Sequence, residues 1–124
     1  MKPKTSTLTD LELEIMQIVW GRRQATVRDV YETLRERRKV AYTTVMTMMK
    51  ILEQKKRLKR TLVDRAYLYR PTQPQRQVVQ AMVREFLQRV FNGSAAPLLL
   101  HLVRDRKLTS RDLEEISRLI GKKS

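Results

Sequence analysis

The sequence predicts a mainly α-helical chain in two parts: three short helices and a two-stranded hairpin over residues 1–72, then a three-helix segment over 73–124. Three observations carry this. Threonine caps open apolar stripes of helical period at Thr9 and Thr26. The period then changes to two between Leu58 and Arg70. Finally, Pro71-Thr72-Gln73-Pro74 interrupts regular structure before a tail that returns to helical spacing.

The first helix is expected over Asp10–Trp20. Thr9-Asp10-Leu11-Glu12 is a capping box, and Leu8 and Leu13 stand at hydrophobic-staple spacing around it. Leu11, Ile15, Ile18 and Val19 share one face, and Gly21 is the expected C′ residue because φ > 0 costs glycine little. Thr26 with Asp29 caps a second helix over Val27–Arg37, whose buried face is Val27, Val30, Tyr31 and Leu34. The cations Arg35, Arg37, Arg38 and Lys39 crowd its end, where they suit the negative pole of the helix dipole.

The third helix is expected over Tyr42–Lys55, burying Val45, Met48, Met49 and Leu52. Its opposite face carries Thr43, Thr44 and Thr47 with Met46, Lys50 and Gln54. Three β-branched threonines lower helix propensity, so a demand other than helix stability places them there. Leu58–Val63 and Tyr67–Arg70 read as strands around the turn Asp64-Arg65-Ala66. In the tail, Val79, Met82, Phe86 and Val90 mark a helix ending near Phe91, and Asn92-Gly93-Ser94 closes it. Pro97–Val103 is a short apolar stretch. Leu108-Thr109-Ser110-Arg111-Asp112-Leu113 then repeats the cap grammar of the first helix, opening a last helix through Ile120 that stops at Gly121.

Composition bounds the function. The chain has 124 residues, 27 Lys+Arg against 13 Asp+Glu, and a net charge of +14, which points to a polyanionic partner. Cysteine is absent, excluding disulfides, thiol catalysis and thiolate metal sites, and one histidine excludes an imidazole metal cage or a nucleophilic triad. No metal, cofactor or catalytic constellation is expected. No apolar run is long enough to span a bilayer and Met1–Leu8 has no signal-peptide core, so the expected location is the cytoplasm, without membrane insertion.

Three helices followed by a basic hairpin is the element order of a winged helix-turn-helix. A helix fits the major groove, and its solvent face must offer short donors, acceptors and methyl groups to base edges, as Thr43, Thr44 and Thr47 do, with Lys50 reaching guanine or phosphate. A merely solvated polar face is the plainer account of the helix alone; the hairpin tips the balance. Seven basic residues and one acidic lie between Lys55 and Arg70. Protection of an edge strand does not require so many, so Lys59, Arg60 and Arg65 are expected to track phosphates, with Arg65 at the tip near the minor groove. Trp20, Met48 and Met49 are expected in the core, and His101 at an interface.

The apolar tail exceeds what three short helices can cover themselves, and a two-fold axis lets one patch cover its own copy. The expected homodimer face comprises Val79, Met82, Phe86 and Val90, then Leu98, Leu99 and Leu102, and finally Leu113, Ile116 and Ile120.

Leu8-Thr9-Asp10-Leu11-Glu12 with Ile15–Trp20, the run Ala41-Tyr42-Thr43-Thr44-Val45-Met46-Thr47, Tyr67-Leu68-Tyr69-Arg70-Pro71 and the closing Leu108–Ile116 segment carry a resemblance to the BlaI/MecI penicillinase-repressor family, which includes the CopY copper-responsive repressors. The resemblance runs over about Leu8–Ile120. It implies a homodimeric bacterial repressor with an N-terminal winged helix and a C-terminal dimerisation domain, binding dyad operators with A/T-containing half-sites and regulating β-lactamase, penicillin-resistance or related genes. The family's recognition positions fall on Ala41, Tyr42, Thr43, Thr44, Met46 and Thr47. It further implies release through proteolysis in the dimerisation domain by a membrane sensor protease. The chain departs from the pattern in three places: Lys56-Arg57 stands where Lys-Gly is common after the recognition helix, the copper branch's cysteine motif is absent, and His101–Leu102 stands at the family's Asn–Phe cleavage bond. A sequence-specific DNA-binding repressor is thus the expected function. The alternative is a winged-helix module that uses its basic face on RNA or protein without reading sequence.

Overall fold

The computed structural model describes residues 8–122. Of Met1–Leu8, where no signal-peptide core is expected, residues 1–7 lie outside the described residues. Elements run in the order α1 (Asp10–Arg22), α2 (Val27–Leu34), α3 (Tyr42–Gln54), β1 (Leu58–Val63), β2 (Ala66–Pro71), α4 (Gln75–Phe91), α5 (Ala96–Arg104) and α6 (Ser110–Lys122). They form two compact units that divide between Met82 and Val83.

In the first unit the local sequence signals translate directly. Glu12 N–H donates to Thr9 Oγ1 at 3.2 Å while Thr9 N–H donates to Glu12 Oε1 at 3.0 Å, and Thr26 and Asp29 repeat the exchange at the start of α2. Behind these caps Ile15, Met16 and Val19 of α1, Val30 and Leu34 of α2, and Val45, Met49 and Leu52 of α3 are buried together. Met48 and Trp20 pack against this core from its margin.

Three helix ends differ from expectation. α1 runs through Gly21 to Arg22, and it is Arg23 that turns with φ 74°. The chain must reach Ala25, which pairs with Tyr69 of β2 through bonds of 3.0 and 2.8 Å as a single bridge beside the two-stranded hairpin. That pairing sets the reversal, not the glycine. α2 stops at Leu34, its last buried residue; Arg35–Arg38 have no core to cover and form turns. α6 likewise continues through Gly121, which costs about 1 kcal/mol relative to alanine without forbidding the helix. After α3, the glycine-free Lys56 adopts φ 65°, and Arg57 N–H donates to Leu52 O at 2.8 Å, closing the helix in a Schellman-type turn.

The hairpin register pairs Leu58 with Pro71, Arg60 with Tyr69 and Val63 with Ala66. Ala66 and Pro71 therefore belong to β2, and the turn is the two residues Asp64 and Arg65. The Pro71–Pro74 segment is anchored to the first unit. Thr72 N–H and Oγ1 bond to Arg57 O and Lys56 O, and the Trp20 indole donates to Gln73 O at 3.1 Å. α4 begins by packing on the same unit, with Val78 buried and Met82 partly buried against its core.

A charged pair crosses this core. Glu12 is 2% exposed, and its Oε2 accepts from Lys55 Nζ at 2.8 Å, joining the start of α1 to the end of α3. Burial pushes the Glu12 carboxyl up, but the Lys55 hydrogen bond and charge, with the Thr9 bonds, outweigh it and hold the group below its ordinary value. A depressed folded-state pKa contributes stability above the unfolded value of about 4.3 and loses it as pH falls through the folded one. Glu12→Gln should therefore cost about 1–3 kcal/mol at pH 7, measured by urea denaturation, and the difference from the parent should start to shrink only as pH falls below about 4 and close as the folded carboxyl takes up its proton.

The second unit is built differently. Pro97 enters α5 in its first turn, and Thr109 caps α6, donating to and accepting from Asp112 at 3.0 and 3.1 Å. Phe91 meets Phe86 and His101 at ring-centroid distances of 6.0 Å each. Among the described residues of this unit none is fully buried. Phe86, Val90, Leu99, Leu113 and Ile120 of the expected dimer face are exposed, as is Val79 in the first unit, whereas Leu98, Leu102 and Ile116 are half-buried.

Candidate nucleic-acid interface

The burial of Val45, Met49 and Leu52 fixes which side of α3 faces outward. Ala41, Tyr42, Thr43, Thr44, Met46, Thr47 and Lys50 are all exposed. Ala41 stands at the N-cap without a side-chain bond, unlike the threonines that cap α1 and α2. The Tyr42 ring meets Tyr31 edge-on at 5.4 Å, with Arg28 of α2 5.9 Å from its centroid.

A groove of about 640 Å³ runs between the start of α2, the outer face of α3 and the inner face of the hairpin. It brings together Tyr42, Met46, Thr47 and Lys50 with Arg60 and Arg65. Thr43 and Thr44 stay exposed on α3 without lining it. Lys59 pairs with Arg70 on the other face of the hairpin, because side chains alternate along a strand. Arg28 and Tyr67 also line the groove, and sequence reasoning misses both. For Tyr67 a signal exists, since it lies on the same period-two face as Arg60 and Leu62.

The cations differ in their freedom. Arg60, expected to track phosphates, has its Nε 3.2 Å from Glu53 Oε2 and its guanidinium carbon 4.1 Å from the centroid of the Tyr67 ring. The Tyr69 side chain holds its ionisation above the ordinary arginine range; partial desolvation opposes this and Glu53 adds to it. Arg65 instead stands at the hairpin tip. It and Asp64 have φ of 69° and 47°, the left-handed pair that a two-residue turn requires and that Asp-Gly would supply with less strain. Arg65→Gly should raise hairpin stability by about 1 kcal/mol, seen as a higher thermal midpoint, whereas Arg65→Ala removes the same charge without that gain. Among the described residues no group of three or more His, Cys, Asp or Glu is placed to hold a metal ion, and no helix is long and apolar enough to cross a membrane.

The model of the penicillinase repressor family matches residues 8–122. The chain belongs to the penicillinase repressor family. Within and around the family, it is 38% identical over 102 residues to the transcriptional regulator BlaI of Mycobacterium tuberculosis (strain CDC 1551 / Oshkosh), covering 81% of this chain and 74% of that one. It is 20% identical over 121 residues to a penicillinase repressor of Staphylococcus aureus, covering 98% and 96%. With the methicillin resistance regulatory protein MecI of Mammaliicoccus sciuri it shares 23% identity over 123 residues, 99% of this chain and 100% of that one. Among solved structures, the DNA-binding domain of the repressor BlaI superposes with a TM-score of 0.52 at 24% identity, over 60% of this chain and 90% of that one. Reduced MarR from E. coli gives 0.51 at 14% identity, over 93% and 76%. These likenesses establish the winged-helix fold, in agreement with the element order, and a family of transcriptional repressors.

Proposed function

We propose that this chain is a homodimeric repressor that reads a dyad operator in duplex DNA. The observation that carries this is the groove, in which the unburied face of α3 lies beside a basic wing on one rigid core. α3 enters the major groove, with Thr43, Thr44 and Thr47 meeting base edges and thymine methyls, and Ala41, Tyr42, Met46 and Lys50 completing the contact. Lys59 and Arg65 supply phosphate contacts that act on any sequence. Residues 1–72, with the first turns of α4 seated on them, form the DNA-binding domain, and the rest of 73–124 the dimerisation domain.

The bareness of the second unit supports dimerisation. A unit whose described residues include none that is fully buried, with Phe86, Val90, Leu99, Leu113 and Ile120 exposed, needs a second copy to cover it. The relatives are named for penicillinase and methicillin resistance, which supports regulated genes of that class, and the site of action is the cytoplasm, where the DNA is. Release proceeds by cleavage at His101–Leu102 by a membrane sensor protease of its own specificity. That bond lies inside α5, so α5 must open locally before it can be cut.

Footprinting on DNA fragments of the source genome tests the reading. A protected two-fold symmetric segment is the expected result. Uniform retention of all fragments would instead support the basic module without sequence reading.

A further inference from the structure

The hairpin is held to the core only at its base. There Leu58 and Tyr69 are buried and Tyr69 exchanges two backbone hydrogen bonds with Ala25, whereas Leu62, Val63 and Tyr67 nearer the tip are exposed. A two-stranded hairpin is marginal by itself, so something must fix the angle at which its tip stands to α3. The Arg60 side chain, opposite Tyr69 in the register, touches both sides of that gap. Arg60 of β1 reaches Glu53, in the last turn of α3, at 3.2 Å, and its guanidinium carbon lies over the Tyr67 ring of β2, 4.1 Å from the centroid.

We propose that Arg60 is a positioning residue: with Glu53 and Tyr67 it latches the wing to the recognition helix, setting the groove width so that α3 and Arg65 reach adjacent grooves of DNA together. This rests on the DNA-binding reading above and reassigns Arg60 from phosphate contact. The charge balance supports it. A carboxylate 3.2 Å away offsets part of the Arg60 charge and weakens its attraction for phosphate, and a planar guanidinium suits an aromatic face better than an ammonium does. Glu53 is otherwise misplaced, an acidic group beside a DNA-facing surface. As the anchor of the latch it has a reason to be there.

The test uses the full chain, with Glu53→Gln, Arg60→Met and the double variant. Binding to a selected operator and to random duplex is measured across a salt series. Each single variant should bind operator about tenfold more weakly, keep random-duplex affinity within about twofold, and leave the salt slope unchanged; the double should be no worse than either single. In DNA-free protein, amide hydrogen exchange across 61–68 should quicken in each. Simple electrostatics gives the opposite result for Glu53→Gln, because removing a negative charge should tighten binding to both DNAs. That outcome overturns the latch, as does a slope flattened by about 0.9 in Arg60→Met with equal loss on both DNAs, the mark of a phosphate contact. A lower thermal midpoint with an unchanged operator-to-random ratio would also overturn it, as a role in stability alone. If the parent protein prefers no duplex, the repressor reading fails, and unchanged exchange across 61–68 then overturns the latch independently.

Discussion

A fragment ending at Met82 should bind operator DNA about two to four orders of magnitude more weakly than the full chain, while keeping its helical signal and its cooperative unfolding. The loss comes from linkage. In a dimer the second half-site is engaged at the high effective concentration set by the first, and a monomer has no such advantage. The cut belongs after Met82 because Val78 is buried and Met82 packs against the core; ending at Thr72 would strip that cover and confuse instability with loss of dimerisation. Sedimentation should show the full chain as a dimer and the fragment as a monomer. A dimeric fragment would remove the second unit from the interface.

The second large effect is on specificity. Thr47→Ala should reduce the ratio of operator to random-duplex affinity by about 10–100-fold, the range expected when a base-edge contact worth about 1–3 kcal/mol is lost. Thr47 is exposed, so stability should hold or rise slightly as helix propensity improves. Thr47→Val separates the parts of the contact: it keeps the methyl and removes the hydroxyl. Equal weakening on both DNAs would place Thr47 on the backbone side of the complex, not at a base.

Much of the fold is legible in the residues. Thr9-Asp10-Leu11-Glu12 and its counterparts at Thr26 and Thr109 state where helices begin, because the signal is local: a hydroxyl and a carboxylate three residues apart. The outward face of α3 is equally readable, since one amphipathic period fixes both faces. Helix ends are less so. Gly21 and Gly121 are permissive at a C′ position without compelling one. The real turns at Arg23 and Lys56 are set by their C-terminal neighbours, Ala25 reaching β2 and Arg57 closing on Leu52. Contacts distant in sequence leave no local trace. Glu12 reads as half of a capping box and nothing shows that its second oxygen meets Lys55; Arg60 reads as one cation among many and nothing shows that Glu53 and Tyr67 engage it.

Whether two chains read a dyad together is decided by selection from a pool of random duplexes with the full-length protein. A dimeric repressor should enrich one two-fold symmetric sequence, with half-sites separated by about one helical turn or a multiple of it, occupied by two chains. Recovery of duplexes with no shared sequence, or of a single asymmetric site bound by one chain, would contradict it.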